Sequence, residues 1–310
     1  MSSIMSSAPG KVVLAGEYVV LDGAPAVSMA VNRRAAVTLD AADELSVHCE
    51  GLDGNTDLRL FDCVRHALHA DQWCGSACLD TRSFADADTG IKYGIGSSAA
   101  LAVALARALA PSDIDDDSLL RVALDAHQAF QHGSGSGVDV ATSFAGGLIE
   151  FRMGTRPRRL AWPDGLHSRL LWSGVAANTP ARLTRLSESE PGASRNALAG
   201  AAAELAGKWV AADADDLLAS YHDYLHLLQQ FDIDHRLGIF DAGHDALARL
   251  NSPSNTVYKP CGAGGGDIGI VLGTDPDAVR AFASRARSNG FCELDMTLEP
   301  HGVLLGEDSP

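Results

Sequence analysis

KYGIGSSAALAVALARAL, residues 92–109, decides more about this chain than any other stretch. From Ser97 onward it is apolar on every side of a helix, interrupted only by Arg107 and stopped by Pro111. A buried helix beginning at Ser97 or Ser98 is therefore predicted. The small residues Gly94, Gly96, Ser97 and Ser98 stand directly before or at its start. They leave backbone N–H groups and the positive end of the helix dipole uncovered, which is where a phosphate can sit. A hydroxyl at 97 or 98 can cap the helix or coordinate magnesium. Taken alone, the string is equally an ordinary capped helix packed closely through glycine.

Two further glycine-rich segments flank it in sequence. GKVVLAGEYVVLDGAPAV, residues 10–27, places Lys11 at the head of a strand, aimed into a site or simply exposed. KPCGAGGGDIGIVLG, residues 259–273, holds five glycines in the eight positions 262–269. Such density costs chain entropy and suits close approach of backbone to a ligand, or a tight turn. Gly264, Gly266 and Gly269 satisfy GxGxxG, but strand-like IGIVLG follows where a dinucleotide fold needs a helix. HGSGSGVDVATSFAGG, residues 132–147, puts Asp139 beside a helical or strand segment, as a proton acceptor, a cation holder or a cap. No GxxxxGK[ST] string occurs, so a P-loop enzyme is not supported.

Lysine usage sharpens the pattern. There are four lysines (Lys11, Lys92, Lys208, Lys259) among 24 basic residues, and three of the four adjoin the glycine-rich segments. An ammonium fits a phosphate cradle as a point charge where a planar guanidinium is too bulky. The net charge of −16 repels nucleic acid and anionic membrane, so neither partner is expected. The six cysteines are scattered. Cys74 and Cys78 could share a helix face as metal ligands, but no second pair completes a zinc site, so free thiols are expected.

The 310 residues suit about two domains at roughly 150 residues each. The stretch from Ala99 to Ala110 is too short to span a bilayer and the N-terminus lacks a signal-peptide pattern, so a cytoplasmic protein is expected. Strands are predicted over VVLAGEYVVL, PAVSMAV, AAVTLDA and ELSVHCE, then a helix bearing Leu58, Phe61, Val64, Arg65 and Leu68. The helix from Ser97, a helix over DDDSLLRVALDAHQAFQ and a strand at GGLIEF follow. The Pro-, Gly- and Arg-rich segment 152–165 is the candidate boundary, dividing the chain into domains 1–160 and 161–310. Beyond it come a strand (RLLWSGVAA) and helices near 195–211, 215–231 and 234–249. A strand ending at Lys259, IGIVLG, a helix near 276–289 and one or two short strands complete the chain. Strands and helices without regular βαβ alternation indicate an α+β fold.

In combination, APGKVVLAGEY, KYGIGSSAA and KPCGAGGGD, in this order, resemble the three motifs of the GHMP kinase superfamily. Asp267 closing the third motif and Val-Ala after Asp139 resemble its phosphomevalonate kinase subgroup. The resemblance implies a two-domain fold: an N-terminal α+β domain with a left-handed βαβ crossover and a ferredoxin-like C-terminal domain. It also implies ATP and Mg2+ as cofactors. The implied reaction is transfer of the γ-phosphoryl group to 5-phosphomevalonate, giving 5-diphosphomevalonate for isoprenoid synthesis. Mevalonate or another alcohol is the alternative acceptor, a non-catalytic nucleotide sensor is the alternative of a different class, and the chain is expected as a monomer or homodimer.

Motif by motif, the resemblance puts Lys11 and Asp139 at the catalytic positions. Lys92, Gly94, Gly96, Ser97, Ser98 and Ala99 would meet the nucleotide, with Ser97 and Ser98 on magnesium. Ser136, Gly137, Arg182, Gly262, Ala263, Gly264 and Asp267 would meet the substrate, near segment 173–185. Gln128 stands where mevalonate kinases usually carry a magnesium-binding glutamate. A phosphorylated acceptor brings charge that a protein of −16 must cancel locally, and Lys92, Lys259, Arg33, Arg34, Arg182 and Arg185 are the candidates.

Overall fold

Residues 3–51, 54–188, 192–251 and 256–307 are described by a computed structural model of the chain. Strand β1 (Ile4–Ala15) is buried from Ala8 onward and leads through a 3₁₀ turn at Val19–Asp22 into β2 (Ala26–Asp40). Next come β3 (Ser46–Glu50), α1 (Gly54–Ala67) and β4 (Ser76–Asp80). Helices α2 (Ser97–Leu109), α3 (Asp116–Phe130) and α4 (Val138–Ala145) follow, then β5 (Leu148–Phe151) and β6 (Arg158–Leu160). Strand β7 (His167–Trp172) precedes α5 (Thr179–Ser187), α6 (Ala193–Ala211), α7 (Ala214–His235) and the single-turn α8 (His244–Ala248). Strands β8 (Val257–Pro260) and β9 (Ile268–Gly273), helix α9 (Pro276–Ser288), β10 (Cys292–Leu294) and β11 (Leu304–Glu307) complete the order.

Two sheets result. The first runs β11-β1-β2-β4-β3, with β5 and β6 continuing from the other end of β2. Strands β3 and β4 are parallel, so they need a crossover, and α1 supplies it. The second sheet, β10-β7-β9-β8, is antiparallel throughout. With helices between β7 and β8 and between β9 and β10, it has the β-α-β-β-α-β order of a ferredoxin-like unit. The α+β architecture with a ferredoxin-like second sheet is thus as expected from the sequence.

Helix α2 explains its own sequence. Every residue from Ala99 to Ala106 is fully buried, between β1, β2 and the helices α1, α3 and α4. A helix enclosed on all sides has no use for a polar face. Helices α6 and α7 reach back to the first sheet through aromatic side chains whose polar ends are bonded: Trp209 Nε1 donates to the Tyr221 hydroxyl at 3.1 Å, and that hydroxyl donates to the Leu14 carbonyl at 3.0 Å.

Several boundaries differ from the sequence reading. VVLAGEYVVL is strand only to Ala15, because Gly16 (φ 87°) and Tyr18 (φ 63°) turn the chain and send Glu17 inward. PAVSMAV and AAVTLDA form one strand, β2. The expected helix 234–249 is broken: Arg236 is left-handed (φ 51°), and the Asp232 carboxylate accepts the N–H groups of Ile239 and Phe240. Cys74 and Cys78 share no helix, since Cys78 lies on β4 and Cys74 precedes it; all six cysteines are free thiols. Strand β11 returns to β1 in the first sheet. Among the described residues no helix is long and apolar enough to cross a membrane.

Candidate active site

The glycine-rich segments, far apart in sequence, meet in one cleft whose lining includes Lys11, Gly94, Ser136, Asp139, Gly262 and Asp267. The Lys11 N–H donates to the Ile95 carbonyl at 2.8 Å, which ties β1 to the loop before α2. The Lys11 side chain then passes over Gly96, where a Cβ would stand 2.9 Å from Lys11 Cε. Gly96 is the left-handed N-cap of α2 (φ 80°), so glycine serves both the turn and the passage of the lysine. The ammonium ends 3.2 Å from Asp139 Oδ2, with the two side chains 9% and 32% exposed. Asp139 sits in the first turn of α4, behind the left-handed Gly137.

The third segment arrives through Asp267. Its carboxyl group rests against Gly94 so closely that a Cβ there would fall 2.1 Å from Asp267 Cγ. Four hydrogen bonds hold Asp267 to the loop after β7: its N–H to the Val175 carbonyl (2.6 Å), its carbonyl from Ser173 N–H (2.9 Å) and from the Ser173 hydroxyl (3.0 Å), and Oδ1 from Ala177 N–H (2.9 Å). Burial raises the pKa of this carboxyl, opposed by the Ala177 N–H and by Lys11 and Arg182. Asp267 therefore joins the loop before α2 to segment 173–177.

Each remaining candidate has a definite place. Ser97 and Ser98 occupy the first turn of α2 and neither caps it. Ser98 Oγ instead lies 3.0 Å from His127 Nε2. His127 is buried and lines the cleft, while its neighbour Gln128 is exposed, so α3 turns the histidine inward and the glutamine out. Burial lowers the His127 pKa, with Asp139 opposing and Lys11 reinforcing the shift, so the ring is neutral at pH 7. Gly137 and Ala263 line the cleft; Ala99 is buried in α2; Gly264 packs against Ile239 outside the cleft lining. Lys92 is exposed and bridged to Ala85, away from that lining.

The six proposed charge partners lie elsewhere. Arg182 donates to the carbonyls of Leu237, Gly238 and Gly265, and Arg185 to that of Arg236. Arg33 donates to the Asp295 carbonyl, and Arg34 to the carbonyls of Ser7 and Gly302. Lys259 is sealed in an ion pair with Glu17, whose other oxygen accepts from the Tyr224 hydroxyl at 2.6 Å. None of the six lines the cleft, and Lys11 is its cation among the described residues.

Glu17, Tyr18 and His127 are site-lining residues that the sequence reading did not single out for roles. The Tyr18 hydroxyl donates to the Ala263 carbonyl at 2.6 Å, fastening the first glycine-rich segment to the third, and burial pushes its pKa up. The adjacency of Glu17 and Tyr18 to a turn-making Gly16 was the available signal. His127 had none beyond its distance from Asp139.

Residues 67–147 match the family model for the GHMP kinases N terminal domain. The chain is 29% identical to the phosphomevalonate kinase of Streptomyces sp. (strain CL190), across 97% of this chain and 98% of that protein. The family match gives residues 67–147 the sequence pattern of a GHMP kinase N-terminal domain. A mevalonate kinase of Bos taurus is also similar, 27% identical over 94% of this chain and 91% of that one. Among solved structures, Streptococcus pneumoniae phosphomevalonate kinase in complex with phosphomevalonate and AMPPNP superposes with a TM-score of 0.78, covering 95% of this chain and 99% of that chain at 17% identity. The three glycine-rich segments thus meet in one cleft of a chain similar to such kinases.

Proposed function

We propose that the chain transfers the γ-phosphoryl group of ATP to 5-phosphomevalonate, giving 5-diphosphomevalonate and ADP. The observation that carries this reading is the cleft itself: an ammonium, a carboxylate and a glycine-flanked helix N-terminus converge, in a chain similar along its length to a phosphomevalonate kinase. In this reading the amides at 94–98 hold the donor phosphates. Lys11 lies between donor and acceptor and offsets the charge of the transferring group. An oxygen of the acceptor's phosphate bonds to the γ-phosphorus as the bond to the β-bridging oxygen breaks. A phosphate monoester, with second pKa of about 6, is already largely dianionic, so no proton need be removed. Asp139 then acts by orienting Lys11.

The donor set suits magnesium held chiefly by phosphates and water. The described residues contain no cluster of three His, Cys, Asp or Glu, whereas Mg2+ needs only one or two protein oxygens beside phosphates. The Ser97 and Ser98 hydroxyls in the first turn of α2 would supply them, with Ser98 oriented by His127. The ion would there neutralise charge on the donor phosphates. We propose also that residues 1–160 and 161–310 are two domains, with β11 completing the first.

Mevalonate is the second acceptor to test, because Asp139 at 3.2 Å from Lys11 could equally take an alcohol's proton. ADP release by the purified protein with R-5-phosphomevalonate, mevalonate and homoserine separates the readings. Turnover of 5-phosphomevalonate well above the others is expected; preference for mevalonate assigns the alcohol instead.

A further inference from the structure

The cleft opens into a second groove with which it shares Gln131, Gly135 and Thr179. The groove's described lining contains no carboxylate, in a chain with 40 acidic residues. It carries Arg59, Arg195 and His132, with hydroxyls of Ser134, Thr179 and Thr184. The two arginines differ. Arg195 grips Asp22 through two bonds of 2.6 Å, which cancel its charge. Arg59 gives one bond, to the Phe130 carbonyl at 3.0 Å, and stacks on the Phe130 ring with its guanidinium carbon 4.5 Å from the centroid. Among the described residues, stacking and one anchoring bond hold the fork in place with no carboxylate paired to it and further N–H donors available.

We propose that this outer groove seats a carboxylate and that Arg59 receives it. The proposal rests on 5-phosphomevalonate being the acceptor, a short chain with a phosphate at one end and a carboxylate at the other. Lys11 faces the phosphate in the inner cleft and Arg59 faces the carboxylate in the outer groove. The guanidinium discriminates a carboxylate-bearing acceptor from a simple phosphate monoester.

Arg59→Met and Arg59→Lys test this against the unaltered chain. The measurements are steady-state kinetics with 5-phosphomevalonate and ATP, and calorimetric binding of 5-phosphomevalonate and of 3-methylbutyl phosphate, which lacks the carboxylate. Loss of one charged hydrogen-bonding partner corresponds to roughly 10- to 100-fold. Arg59→Met should raise the acceptor KM and Kd by that factor with kcat and the ATP KM unchanged, and leave 3-methylbutyl phosphate binding as it was. Arg59→Lys should fall between. An unchanged acceptor KM, an equal loss for both ligands, or a shift in the ATP KM overturns the assignment. Failure of the unaltered chain to turn over 5-phosphomevalonate is a different result, and it overturns the functional reading beneath it.

Discussion

Lys11 can stand in the cleft only because the residues it passes are small. At Gly96 an alanine would meet both a left-handed backbone, costing roughly 1–2 kcal/mol, and the lysine's Cε. Gly96→Ala should therefore fold, by circular dichroism, yet lose at least tenfold in kcat as the ammonium is displaced. Asp267 makes the converse case, a non-glycine residue kept in the left-handed region (φ 54°) by its side chain. Asn tolerates that backbone and can still accept the Ala177 N–H; Ala does neither. Thermal unfolding should rank Asp267→Asn near the unaltered chain and Asp267→Ala about 1–3 kcal/mol below it. Equal losses for the two variants would show that the Oδ1 bond is not what holds segment 173–177.

At the scale of elements, two buried polar clusters fasten the third glycine-rich segment. His244, fully buried, must donate from Nε2 to the Gly266 carbonyl (2.9 Å), so the neutral ring accepts the Tyr258 hydroxyl at Nδ1 (2.6 Å). Burial is the main cause of its lowered pKa, about 4. An unfolded histidine titrates near 6.5, so between these values the unfolded chain binds more protons and stability rises with pH. As pH falls from about 6.5 towards 4, His244 should remove up to about 3 kcal/mol, and His244→Gln should flatten that part of the stability profile. The second cluster, Glu17 with Lys259 and Tyr224, joins the end of β1 to β8. Lys259→Met strands a buried carboxylate and should cost about 3–5 kcal/mol in denaturant unfolding. Adding Glu17→Gln should recover part of that loss.

Across the whole molecule, what the sequence made legible follows what local chemistry determines. The helix at 97–109 and the strand at 268–273 were readable because apolar periodicity and turn residues agree with the final burial. Convergence of the three glycine-rich segments was readable only through their resemblance to known motifs, since no local property of Lys11 points to residue 139. The end of β1 and the break at 236–243 were not readable. Both are set by distant partners, Lys259 for Glu17 and Asp232 for the turning backbone. The roles expected of Lys259 and Arg34 failed as cleft cations for the same reason: charge in a sequence does not reveal whether a carboxylate or a carbonyl elsewhere already holds it.

The most direct test compares Lys11→Met and Asp139→Asn for turnover of R-5-phosphomevalonate and of mevalonate. If a dianionic phosphate is the nucleophile, losing the charge-cancelling ammonium should cost about 10²- to 10³-fold on 5-phosphomevalonate, and Asp139→Asn less. On mevalonate, where a proton must leave, the order should reverse. A larger loss from Asp139→Asn than from Lys11→Met on the phosphorylated acceptor would contradict transfer governed by Lys11.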